Sequence, residues 1–285
     1  MNKHNRKQTT FSPEDIQALD VELKVGILGT VNDVGLPHLT MISSLRPYAA
    51  QGLVWGQFTE GLSKKFIRQN PKTGFLIMSL DKYLWRGKAL FTHTAQSGPE
   101  YDHFNDQPMF RYNAYFGIHT VYYMDLIEHH GKQALPMGQV IFSAIQTIIA
   151  QRLGKVNSHQ AVLNPWTCEL LNKIDNLKFI GYIGPDGYPV VLPVIQSRPM
   201  GETRVIFSTG AYRSELATIP AGVPMAVFGM SFDMEDVLMR GVFTGIHRIG
   251  GMSCGVVEVD WVYNSMPPTP QQIYPPVPVE AVTEF

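Results

Sequence analysis

The chain has 285 residues, 45% of them hydrophobic, with 23 Lys and Arg against 24 Asp and Glu for a formal net charge of -1. That balance excludes the long-range field by which a basic protein gathers nucleic acid or an anionic membrane surface, so neither is expected as a partner. The length suffices for one large domain or two ordinary ones.

The opening "MNKHNRKQTTFSPED" is polar and lacks the apolar stretch of a secretory leader. No apolar run approaches the ~18 residues needed to cross a bilayer. Cys168 and Cys254 stand far apart without ligand spacing, so neither a disulfide framework nor a zinc site is expected, and a reducing cytoplasm is the expected compartment.

Taken in order, the elements occur twice. "SPEDIQALDVELKVGILGTVNDVGLPHLTMISSLRP" (12–47) lies over "NPWTCELLNKIDNLKFIGYIGPDGYPVVLPVIQSRP" (164–199). Each reads as a capped short helix with proline in its first turn, then a strand, a glycine turn and a second strand. From Gly35 to Pro47 the copies align without a gap, pairing Gly35 with Gly187 and Arg46 with Arg198. Further on, Arg86-Gly87 matches Arg240-Gly241, and the alternating strand 120–129 matches 255–264. Each copy has about six β-rich segments around one helix, a pattern of small barrels rather than βαβ units.

Between the copies, "PMGQVIFSAIQTIIAQRLG" (136–154) places Met137, Val140, Ile141, Ala144, Ile145, Ile148 and Ile149 at helical spacing. That stripe predicts an amphipathic connecting helix whose apolar face is core or interface. The expected organisation is a first barrel over 12–135, a helical connector over 136–163, a second barrel over 164–266, and an extended proline-rich tail over 267–285.

Within the first copy, "LSKKFIRQNP" predicts a helix from near Ser63 to before Asn70-Pro71. Lys64 and Lys65 then stand at the positive end of the helix dipole, which is unfavourable unless an anion sits among them. A dianionic phosphate would accept bonds from the helix N–H groups, the lysines and a hydroxyl.

The run "PHLTMISSLRPYAAQGLVWGQFTEGLSKKFIRQNPKTGFLIM", followed by "RGKA", resembles the FMN-binding split barrel of the pyridoxamine 5'-phosphate oxidase-like family, over most of 12–129 and more weakly over 164–264. The resemblance implies a mainly β fold with some helix: two tandem split β-barrels joined by a helix. It makes Ser63, Lys64 and Lys65 the FMN phosphate site, and Met41, Ile42, Ser43 and Ser44 the strand along the isoalloxazine and ribityl chain. Arg46 falls on a commonly basic position, and Gln57, Phe58 and Thr59 end the facing strand. Thr40-Met41 replaces an arginine of the oxidase itself, which argues against pyridoxamine phosphate as substrate. In single-domain relatives the flavin lies between subunits, so the tandem chain resembles that dimer fused, an internal pseudo-dimer able to pair again as a homodimer.

In the second copy, anchoring Phe66 over Leu216 sets Ser214 and Glu215 against the two lysines. A carboxylate there repels a phosphate, so one intact flavin site is expected, with a degenerate one in copy two. His129 and His130 in "IEHHGK" read as a surface loop rather than metal or haem ligands. His38 and His93 fall on predicted strands and read as structural. Tyr101, Phe104, Phe110 and Tyr112 belong to a segment expected to cover the barrel, mostly as packing.

No nucleophile elbow, phosphate loop or carboxylate pair is present in the sequence. The expected function is an FMN-dependent oxidoreductase acting on an unidentified small molecule with electrons from a nicotinamide or similar donor, its catalytic residues unassigned because flavin carries the chemistry. The alternative is a non-catalytic flavin- or haem-binding protein for sensing or storage, or a barrel pair without ligand.

Overall fold

The computed structural model describes residues 7–107, 117–154, 161–233, 235–265 and 271–278. Ser12 caps the first helix, α1 (Pro13–Leu19), in a reciprocal capping box with Asp15, and Pro13 opens the first turn. The strands β1 (Lys24–Val31), β2 (Pro37–Met41), β3 (Arg46–Ala49) and β4 (Gly52–Gln57) follow. Helix α2 (Leu62–Gln69) leads to β5 (Lys72–Ser79) and β6 (Tyr83–Ala95). Helix α3 (Pro99–Asn105), β7 (Thr120–His129) and β8 (Gln133–Ala134) complete the first copy.

The long helix α4 (Met137–Leu153) precedes α5 (Pro165–Asn172), where Asn164 accepts the Thr167 N–H at 2.8 Å. Then come β9 (Leu177–Ile183), β10 (Pro189–Pro193), β11 (Arg198–Met200) and β12 (Arg204–Ser208). The one-turn α6 (Arg213–Leu216), β13 (Val223–Met230), β14 (Asp236–Ile249), β15 (Met252–Asn264) and β16 (Gln271–Tyr274) end the described chain.

The protein is mainly β: two antiparallel eight-stranded sheets, one in each copy. The first runs β2-β1-β5-β6-β7-β4-β3 with β8 on β6, and the second runs β10-β9-β13-β14-β15-β12-β11 with β16 on β15. Seven strands of one order thus have their counterparts, in the same places, in the other. The chain divides into two compact units, residues 1–35, 39–135 and 183–191 in one and 36–38, 136–182 and 192–285 in the other.

Backbone hydrogen bonds reproduce the aligned register at a displacement of 152 positions. Ile42 N–H donates to Gly26 O at 2.7 Å, and Val194 N–H to Lys178 O at 2.8 Å. Arg46 pairs with Val54, and Arg198 with Ile206. Gly35 and Gly187 turn their hairpins at φ 81° and 79°, a conformation that favours glycine. Gly87 and Gly241 serve a shared close approach: a Cβ would lie 2.0 Å from Glu128 O in one copy and 1.8 Å from Glu258 O in the other.

Inside the first barrel, Leu28, Leu53, Trp55, Phe75, Ile77, Trp85 and Tyr122 form the core, with Trp55 stacked on Tyr122 at 4.0 Å. Each such side chain contributes roughly 1.5–3 kcal/mol by leaving water. On the outer face of the same sheet, Phe104 of α3 packs with Val54, Val121 and Tyr123. In the second barrel the counterparts Ile206, Cys254 and Val256 are covered instead by Ala150 of α4.

Several expectations change. The strand expected to carry Met41, Ile42, Ser43 and Ser44 breaks after Met41, because Ile42 turns to bond Gly26 and Leu45 N–H bonds back to Ile42 O at 3.1 Å. Ser43 and Ser44 therefore occupy a turn, not a strand. His129 is no surface-loop residue: it is fully buried at the end of β7, where its Nε2 lies 2.9 Å from Thr10 O. Helix α4 buries Val140, Ser143, Ala144, Thr147 and Ala150 while Ile141, Phe142, Ile145, Ile149 and Leu153 are exposed. Only part of the apolar stripe, Val140 and Ala144, is core. Within the proline-rich tail, Gln271–Tyr274 form a strand, β16, paired to β15. Phe110 and Tyr112 lie outside the described residues.

Candidate functional site: the start of helix α2

Helix α2 forms because Phe66 and Ile67 bury one side while Lys65, Arg68 and Gln69 stay exposed, and it ends where Asn70 becomes extended before Pro71. Its start is unusual. Gly61 is the N-cap, with no side chain to accept from the first turn. Ser63 is 1% exposed, and its Oγ has no hydrogen-bond partner among the described residues. Lys64 is 7% exposed and makes no ion pair or side-chain hydrogen bond among them. Its Nζ folds back over the helix start, 3.5 Å from where a Cβ on Gly61 would stand. Burial lowers the Lys64 pKa, and the Glu60 carboxylate opposes that shift.

Around this start runs a polar chain. Gln57, buried at the end of β4, donates from Nε2 to Glu60 Oε1 at 2.5 Å and accepts at Oε1 from the Tyr122 hydroxyl at 3.0 Å. Arg68, one turn along from Lys64, donates to the same hydroxyl at 3.1 Å, with its guanidinium 5.8 Å from the Tyr122 ring centre. Burial raises the Tyr122 pKa, so the phenol stays protonated and can donate. Glu60, Arg68 and Tyr122 were not singled out in the sequence. The i, i+4 spacing of Lys64 and Arg68, which sets both on one helix face, was the available signal.

Other residues implied by the resemblance have different employment. Ser44 Oγ accepts the Gly56 N–H at 3.0 Å and donates to Gly56 O at 3.2 Å, tying the turn to β4. Ile42 is buried and Met41 half-buried, whereas Ser43, Phe58, Thr59 and Lys65 are exposed. Arg46 belongs to a separate cluster: its Nη1 lies 3.1 Å from Asp20 Oδ1 and its guanidinium packs 5.4 Å from the Phe104 ring centre. The corresponding Arg198 donates to Asn172, the counterpart of Asp20, at 3.2 Å and 3.0 Å. An arginine tied to the end of the preceding helix in both copies serves the barrel itself.

No family model matches the sequence, and no curated protein matches it. Among solved structures, the chain is similar to HupZ of Group A Streptococcus at 14% identity and TM-score 0.35, over 42% of this chain and 91% of that one. It is also similar to an FMN-binding protein from Syntrophomonas wolfei subsp. wolfei at 13% identity and TM-score 0.36, over 43% and 86%. General Stress Protein 26 from Bacillus anthracis str. Sterne is similar at 15% identity and TM-score 0.31, over 40% and 84%. Among the described residues no helix is long and apolar enough to cross a membrane.

Proposed function

We propose that the first barrel binds FMN with its phosphate at the start of helix α2, and that the protein is a flavin-dependent oxidoreductase acting on a small organic molecule with a nicotinamide electron donor. The observation that carries the reading is a buried Ser63 hydroxyl without a hydrogen-bond partner next to a buried Lys64 without an ion pair or side-chain hydrogen bond, both among the described residues, in the first turn of a helix that has no side-chain cap. A buried donor left unsatisfied costs about 1–3 kcal/mol, and a buried ammonium without a partner costs more. A phosphate satisfies both and also receives the helix N–H groups.

The fit is partial in detail. Ser63 and Lys64 are available to a phosphate, while the exposed Ser43, Phe58, Thr59 and Lys65 are accessible to the remainder of the ligand. Ser44, Arg46 and Gln57 are engaged with Gly56, Asp20 and Glu60. When bound, flavin supplies the hydride or electron chemistry, and the barrel's task is to orient it and exclude water from one face. The test is purification with FMN in excess: the expected result is a yellow protein that releases about one FMN per chain on denaturation. A protein that takes up no FMN overturns the reading, and one that binds FMN without oxidising reduced nicotinamide is a carrier instead.

A further inference from the structure

In the second barrel, the end of β12 and the loop that leads into the counterpart of α2 are covered by the chain's own helix α4. At the displacement of 152 positions, Gly56, Phe58 and Thr59 correspond to Ser208, Gly210 and Ala211. Thr59 makes no hydrogen bond to a described residue. Ala211 N–H, by contrast, donates to Ser143 Oγ of α4 at 2.9 Å, and Ser208 N–H donates to Thr147 Oγ1 at 2.9 Å. The Ser208 hydroxyl donates to Gln146 Oε1 at 2.5 Å. Ser143 and Thr147 are fully buried, and a Cβ on Gly210 would lie 2.4 Å from Ser143 Oγ, where the first barrel carries Phe58.

This placement opposes what apolar burial alone would select. Helix α4 turns Ser143 and Thr147 toward the sheet and leaves Ile141, Phe142, Ile145 and Ile149 exposed. Backbone donors at a strand end require acceptors, and side-chain oxygens on one helix face supply them to Ser208 and Ala211. These are bonds of the kind that phosphate oxygens accept.

We infer that helix α4 is the built-in occupant of the second barrel's counterpart site, so the chain carries one phosphate-ligand site and not two. On this view the missing lysines at Ser214 and Glu215 are a consequence of closure rather than its cause. The inference rests on the phosphate reading of the first barrel for its ligand, but not for the role of the helix.

Two measurements on the full chain separate these. FMN stoichiometry is expected to remain about one in a Ser214→Lys, Glu215→Lys variant, and a rise to two overturns the inference. Backbone amide exchange is expected to accelerate about tenfold or more at Ser208 and Ala211 in a Ser143→Ala, Thr147→Val variant, with Phe179 and Phe228 in the core strands unchanged. Unchanged exchange at both amides overturns the closing role of the helix. Should the double variant fail to fold, the near-isosteric Thr147→Val alone is expected to release Ser208 and leave Ala211 protected. If no FMN binds to any of these proteins, the phosphate reading is lost while the exchange result still decides what α4 does.

Discussion

Gln57 Nε2 holds Glu60 Oε1 at 2.5 Å, which fixes a carboxylate beside the helix start where Lys64 is buried. Lys64 therefore has an anion near it already, though one that forms no ion pair with it within 4 Å. A carboxylate in that place favours the charged lysine and repels an incoming phosphate. Glu60→Gln keeps the shape and removes the charge, so FMN affinity is expected to rise about three- to tenfold in a fluorescence titration. An unchanged or weaker affinity would show that the phosphate does not approach this carboxylate.

Lys64→Met should abolish FMN binding while leaving the thermal midpoint nearly unchanged or raised, because it removes a buried charge that makes no ion pair or side-chain hydrogen bond among the described residues. Retained affinity removes the phosphate site from α2. Ser63→Ala is expected to weaken binding by about tenfold and to leave the free protein as stable or slightly more so, since it deletes an unsatisfied buried hydroxyl. Ser214→Glu, in the second copy, should change neither quantity.

Lys178 is 1% exposed, and its ammonium donates to Lys173 O at 2.5 Å and Ile195 O at 3.2 Å. Burial, assisted by the charge of Arg198, lowers its pKa from 10.5 to about 7. Between those values the unfolded chain binds more protons than the folded one, so stability rises with pH across that window, and the full cost of burying the charge is felt below it. Chemical denaturation between about pH 7.5 and 10 should give a steeper rise for the native protein than for Lys178→Met, by up to ~1.4 kcal/mol per pH unit. Equal slopes would mean that the ammonium is better solvated than its burial implies. Lys24, lowered by burial to about 8, adds a slope of the same sign in both proteins.

Gly87→Ala and Gly241→Ala each drive a methyl group into a carbonyl oxygen of the neighbouring strand, at 2.0 Å and 1.8 Å before relaxation. Each is expected to cost about 3 kcal/mol or more in equilibrium unfolding. A cost below about 1 kcal/mol at either position would show that the bulge beside it adjusts freely.

Much of this was legible in the sequence because local rules were strong there. Ser12 and Asn164 stand one residue before prolines and cap their helices as read, and the gapless match from Gly35 to Pro47 reappears as a conserved hydrogen-bond register. The end of α2 before Asn70-Pro71 follows from proline sterics alone. What misled were positions where periodicity has no access to partners. The extended pattern of 37–46 conceals a turn, because Ile42 leaves the strand to bond Gly26, sixteen positions earlier.

By itself, then, the sequence determined two copies of one β-rich unit, the helix at Leu62–Gln69 and the lysines at its start, since each depends on neighbours close along the chain. Tertiary structure decided that Lys64 and Ser63 are buried without a side-chain hydrogen bond among the described residues while Arg46 is tied to Asp20. It also decided that α4 presents hydroxyls, rather than isoleucines, to the second barrel. The reason is physical. Hydrophobic spacing along a helix reports which face is apolar, whereas the face that is buried depends on which backbone donors elsewhere in the chain remain to be satisfied.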